Sequence, residues 1–279
     1  MVIWLDELSA NKYKSTLGEK EAFLVRSLAE ERKAIFNIED AARLVGPEAK
    51  KVVYRLATKK WALPLKRGLY AMVPLDVGVK GSDAFVVHNF VVASMLAEPY
   101  YVGYWSALNH HGLTDQIPRT TFIATTEARH PVHVLDAEYY FVKLARSKFF
   151  GWQDVTIEDR NIRISDTEKT VADCLDHPEH CGGIEQVARA IYFSHEEINV
   201  SRVVEYAHRM GNRTILKRLG YVLEVTGLLP HYEKLFTGFK LSAGFPKLDP
   251  LSPKMGKHNG HWNLLVNYEL ERQHNTCEF

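Results

Sequence analysis

The sequence predicts a mixed α/β (α+β) protein, with a winged helix-turn-helix unit at residues 1–75 and a mixed α/β domain at 84–279. Three observations carry this reading. Asn37–Met72 (NIEDAARLVG, PEAKKVVYRLATKKW, ALPLKRGLYAM) has the pattern of a short helix, a tight turn, a second helix and a hairpin. Charge is also unevenly spread: the residues to Leu75 hold 14 Lys+Arg against 9 Asp+Glu, and the remainder holds 21 against 25. Finally, Asp76–Asp83 (DVGVKGSD) has two glycines and no large apolar residue except valine, as expected of a domain boundary.

Taken in order, Glu19–Glu31 is a good helix former, with Ala22, Val25, Leu28 and Ala29 on one side. The next helix is expected to bury Ile38, Ala41, Ala42 and Val45, with Asn37 capping its first turn. Gly46-Pro47 ends it and opens the following helix. There Ala49, Val52, Val53, Leu56 and Ala57 recur at the spacing of one buried stripe. The opposite face carries Lys50, Lys51, Tyr54, Arg55 and Thr58. Leu63–Pro74 follows as a strand pair turning at Arg67-Gly68, which places Lys66 and Arg67 at the tip.

Cations, an aromatic ring and a hydroxyl on one helix face suit contact with phosphates and base edges, and a basic hairpin tip suits phosphate or the minor groove. Lys50, Lys51, Tyr54, Arg55, Thr58, Lys66 and Arg67 are therefore the candidate residues for binding double-stranded DNA. A solvated basic helix face is the competing reading. The acidic remainder of the chain weighs against it, since that asymmetry is the pattern of a nucleic-acid module joined to another body.

In the second domain, Ala84–Ala97 reads as a buried helix and Ser106–His111 as the centre of a short one. Thr120–Thr126, Val132–Leu135 and Tyr139–Leu144 read as strands of a meander, extended by Ile157 and Ile162–Ile164. Ser165 with Glu168 has capping-box spacing before an apolar run. Helices are then expected at 184–192, 199–209 and 213–226, and strands at Leu241–Ala243 and Trp262–Tyr268.

No run reaches the roughly 18–20 apolar residues of a membrane span, and the N-terminus lacks a secretory pattern. Cys174, Cys181 and Cys277 are too few for a disulfide framework, so a reduced, cytoplasmic compartment is expected.

Several constellations bear on chemistry. Cys174, His177, His180 and Cys181 set four soft or borderline ligands within eight residues. Pro178 breaks the helix between them, so a buried Cys174 beside two exposed histidines is expected and no metal is assigned. His110 and His111 are adjacent and point apart on a helix. His258 and His261 have no acidic partner close in sequence. Gly81-Ser82 lacks the spaced carboxylates of a nucleotidyltransferase, and Glu48-Ala49-Lys50 fits a nuclease pattern only as letters. The acids Asp166, Glu168, Asp173, Asp176 and Glu179 are read as a solvated helix face or a surface for a basic partner. No cofactor is implied and the chain is read as non-enzymatic; the competing classes are a nuclease-related hydrolase in the second domain and a plain protein-interaction module.

Three blocks carry a resemblance: PYYVGYWSALNHHGLTDQIP at 99–118, TTFIATT at 120–126 and SDTEKTVADCLDHPEHCGGIEQVARA at 165–190. Together they resemble the AbiEi family, antitoxins and predicted transcriptional regulators of viral defence systems, over roughly Glu19 to Leu229. The resemblance implies a winged helix that binds inverted repeats in its own promoter and represses the operon. It further implies a C-terminal domain that counteracts a nucleotidyltransferase-like toxin in a type IV system, without need of a stable complex. A solitary regulator with no toxin partner is the alternative within the family. The last fifty residues match no part of it.

Overall fold

The computed structural model describes residues 17–31, 33–73, 87–134, 137–158, 160–238 and 241–270. The fold is mixed α/β and separates into two compact units, Met1–His88 with His133–Asp136, and Asn89–Val132 with Ala137–Phe279. The boundary expected at Asp76–Asp83, and the start of the helix expected from Ala84, lie outside the described residues.

The first unit runs α1 (Glu19–Glu30), β1 (Ile35–Asn37), α2 (Ile38–Val45), a 3-10 turn at Gly46–Glu48, α3 (Ala49–Thr58), β2 (Ala62–Lys66) and β3 (Leu69–Met72). The strands form an antiparallel sheet in the order β1-β3-β2. β1 is an addition to the sequence reading. It pairs Phe36 with Tyr70, and the two rings stack at 5.8 Å. Three residues are too few to show a strand period.

Reciprocal capping starts α2: Asn37 Oδ1 accepts from the Asp40 amide at 2.8 Å, and Asp40 Oδ2 accepts from the Asn37 amide at 2.9 Å. Ala42, however, is exposed; the inward residues are Ala41, with Ile38, Leu44 and Val45 half-buried beside the core. In α1 the buried stripe is Glu21, Leu24, Val25 and Leu28, and Ala22 and Ala29 face outward. Leu24 removes more apolar surface from water than either alanine, and it sets the phase of the helix. The stripe of α3 lies where its period puts it, with Ala49, Val52, Val53 and Leu56 buried and Ala57 partly so.

The second unit holds a helical layer and a six-stranded sheet, of which only the end of one edge strand, His133 and Val134, falls in the first set of residues. In chain order these are α4 (Asn89–Leu96), β4 (Tyr100–Val102), α5 (Tyr104–His110), β5 (Thr120–Thr125), β6 (Val132–Val134), β7 (Ala137–Lys143), β8 (Trp152–Ile157) and β9 (Arg160–Ser165). There follow α6 (Thr167–Asp176), α7 (Ile184–Phe193), α8 (Val200–Met210), α9 (Arg213–Val225), α10 (Leu229–Tyr232), β10 (Lys257–Asn259) and β11 (Leu264–Val266). The sheet order is β6-β7-β5-β4-β9-β8. The expected meander is therefore corrected: β5 pairs β7 in parallel, from Thr120 opposite Glu138 to Thr125 opposite Lys143. Strand direction depends on the connection, and β-branched composition does not reveal it.

α6 is the centre of this unit, packing against α5, α7, α8 and α9. Its cap is Asp166, which accepts from the Lys169 amide at 2.8 Å; Ser165, the expected cap, instead ends β9. Every α6 residue from Glu168 to Asp176 is buried. Lys169 donates to the Tyr101 hydroxyl at 2.9 Å and to Asp173, and Tyr101 donates to Asp173 at 2.8 Å. Burial pushes the Asp173 carboxyl above its ordinary range, against the pull of Lys169 and the Tyr101 hydroxyl. The expected solvated acidic face is thus turned inward. Glu168 accepts from the Asn199 amide, and Asp176 accepts from Lys148 and Asn212.

The segment expected as a strand at Leu241–Ala243 is irregular, since its residues enter no ladder. The chain beyond it closes the core through Leu248, Trp262, Leu264 and Leu270.

Candidate nucleic-acid interface

α3 carries Lys50, Lys51, Tyr54, Arg55 and Thr58 on one side, all exposed, and Tyr54 is 72% accessible. Their positions at i, i+1, i+4, i+5 and i+8 form a single strip, because the intervening residues are held in the core. The helix contains three cations and no acid.

The acids nearest in this unit are engaged elsewhere. Glu48 pairs with Lys20, Asp40 with Lys33, Glu31 with Arg43 at 2.5 Å, and Glu21 with Lys59 at 2.6 Å. The Lys20 ammonium holds the Glu48 carboxyl below its ordinary range. Among the described residues, Lys50, Lys51, Arg55 and Arg67 enter no ion pair, although Lys51 and Arg55 lie close enough to Glu48 to add to the lowering of its pKa.

Past Thr58 the chain turns sharply into the hairpin. The amides of Lys60 and Trp61 donate back to Ala57 and Leu56 at 3.0 and 2.8 Å, and Lys60 takes a left-handed conformation. Trp61 drops into the core beneath α3. Lys66 faces Leu69 across the two-residue loop Arg67-Gly68, where Gly68 has a φ of +79°. The Gly68 carbonyl accepts from the Ile38 amide at 3.2 Å, which ties the loop to the start of α2. Lys66 and Arg67 are both exposed.

The other sequence candidates have different surroundings. Gly81-Ser82 and Cys277 lie outside the described residues. Cys174 and Cys181 are fully buried, and burial pushes both thiols up. Cys181 Sγ is 3.8 Å from the His177 carbonyl oxygen, and among the described residues the convergent ligand group of this turn contains neither thiol. His177 and His180 instead converge with Glu179, a residue that the cysteine spacing did not bring forward. His110 and His111 pack edge to face, and His111 Nε2 lies 2.7 Å from the Ser165 carbonyl. His261 does meet an acid: its Nδ1 is 3.0 Å from Glu224, far away in sequence.

The two units define a mixed α/β protein in which one exposed strip of cations belongs to a helix followed by a basic hairpin. Among solved structures, the chain is similar to the Rv2827c protein of Mycobacterium tuberculosis, with a TM-score of 0.67 and 13% identity over 89% of this chain and 92% of that one. Likeness at that identity shows a shared fold. No protein-family profile and no curated protein matches the sequence. Among the described residues, no helix is long and apolar enough to cross a membrane.

Proposed function

We propose that the chain is a DNA-binding transcriptional repressor, with the first unit acting as a winged helix-turn-helix. In this reading α3 lies in the major groove and the β2–β3 hairpin is the wing. The observation that carries it is the strip Lys50, Lys51, Tyr54, Arg55 on α3, exposed and opposed by the buried Ala49, Val52, Val53 and Leu56, with Lys66 and Arg67 exposed at the hairpin tip. Phosphate contacts from such a strip set register on the duplex, and the aromatic and guanidinium groups reach base edges.

The antitoxin half of the proposal rests on the three blocks that resemble the AbiEi family. In it the chain represses its own operon through inverted repeats and counteracts a nucleotidyltransferase-like toxin, acting on the toxin's effect without a lasting complex. Two experiments test the two halves separately. Binding of the purified chain to its own upstream DNA, against a scrambled duplex, tests the repressor. Growth on co-expression with the neighbouring gene tests the antitoxin; DNA binding without rescue leaves a solitary regulator.

A further inference from the structure

The turn after α6 gathers three groups with metal-ligand chemistry in the second unit. His177, Glu179 and His180 each offer a ligand atom within 4.8 Å of the other two. Pro178 makes this possible by ending the helix and starting a 3-10 turn, in which the His180 amide donates to the His177 carbonyl at 3.0 Å. The spacing His-x-Glu-His, unusable on a regular helix, then presents all three side chains together.

Glu179 Oε1 lies 3.0 Å from His177 Nδ1, whereas Oε2 is enclosed and has no hydrogen-bond partner among the described residues. Leaving a carboxylate oxygen in that state is costly, and a cation would satisfy it. On the far side of the His177 ring, Nε2 is 3.6 Å from Asp176 Oδ2. Asp176 is itself fixed by Lys148 and Asn212, at 2.5 Å each, and a small rotation of the His177 ring would bring it to hydrogen-bond distance as an outer-shell carboxylate. The His180 ring is held by Tyr104, Tyr140 and Phe122, with centroids at 5.3, 5.2 and 5.7 Å. His177 and Glu179 remain about a third exposed, which leaves a route for a hydrated ion.

We propose that His177, Glu179 and His180 form a binding site for a first-row transition-metal dication of the zinc type, with Asp176 as its outer-shell carboxylate and solvent completing the coordination. Two imidazoles and a carboxylate favour such ions over calcium or magnesium, which take oxygen ligands. Zinc–nitrogen bonds of about 2.0–2.1 Å require the three side chains to close in on the ion by rotation. The site lies within the second unit, and it excludes both cysteines.

The test is a titration of the chelator-stripped full chain with Zn²⁺ against a chromophoric competitor, with circular dichroism of each stripped variant as the control for folding. One saturable site is expected. Glu179→Gln and His177→Gln should each weaken it by more than about tenfold, the lower end of what an outer-shell change alone does. Cys174→Ala/Cys181→Ala should leave it unchanged, and the cobalt-loaded protein should show no thiolate charge-transfer band. Absence of saturable binding, unaltered affinity in a folded Glu179→Gln variant, or a thiolate band would each overturn the proposal.

Discussion

The hydroxyl of Thr58 donates to the carbonyl oxygen of Tyr54 at 2.9 Å, a bond directed back along α3. Thr58 therefore differs from the other residues of the candidate strip, because its proton is already committed to the helix. Thr58→Ala should therefore leave DNA affinity close to that of the parent. Tyr54→Ala removes a ring that is free to contact DNA and should cost more. Fluorescence anisotropy with one duplex ranks them; a Thr58→Ala loss as large as that of Arg55→Glu would count against this assignment.

Glu21 gives the first unit a defined acid limb. Its carboxylate accepts from the Gly18 amide at 2.8 Å and from Lys59 at 2.6 Å. Burial raises its pKa, but Lys59 and the amide outweigh burial and hold it below the ordinary range. A carboxyl with a depressed folded pKa contributes stability above its unfolded value, about 4.3, and loses it as pH falls through the folded one. Glu21→Gln should thus be less stable than the parent near neutrality and indistinguishable from it in strong acid. Urea unfolding across that range checks this, and a constant difference at every pH would contradict it.

Lys169 and Asp173 form an ion pair with no exposure at all. Removing one partner of such a pair is far worse than replacing both by apolar groups. Lys169→Met should cost about 3–5 kcal/mol, and adding Asp173→Leu should recover much of it. Denaturant midpoints of the two variants decide the matter. If the double variant is the less stable, the pair is not the source of the cost.

Gly220 lies within α9, where glycine is ordinarily a liability of about 1 kcal/mol relative to alanine. Here a Cβ would sit 2.1 Å from a ring carbon of Trp262. Gly220→Ala should therefore destabilise by about 1–3 kcal/mol through overpacking, and Trp262→Leu in the same chain should relieve part of that. A stabilised Gly220→Ala would show that the Trp262 packing is wrong.

How much of this was legible beforehand follows from the range of each signal. The α3 stripe and the Asn37 cap depend on neighbours within one or two turns, and the period of the chain displays them. The phase of α1 was misread because alanine matches a helical face without defining one. The α6 acids were misread for a different reason: their partners Lys148, Asn199 and Asn212 come from other elements, and charge alone reads as solvated. Glu179 was hidden between two histidines because the cysteines fit a ligand pattern better by letter, while their burial is a tertiary fact. Trp262, within the last fifty residues, packs against Gly220, a contact between elements far apart in sequence that no local period displays.

Salt-dependent binding of the parent chain and of Lys50→Glu, Lys51→Glu and Arg55→Glu variants to the chain's own upstream DNA decides whether α3 meets the duplex. Each phosphate contact contributes about 0.9 to the slope of log affinity against log salt. Tight, sequence-selective binding by the parent is expected, with a slope that flattens by about one unit for each of these residues that meets a phosphate. Equal affinity and an equal slope in a folded triple variant would contradict it.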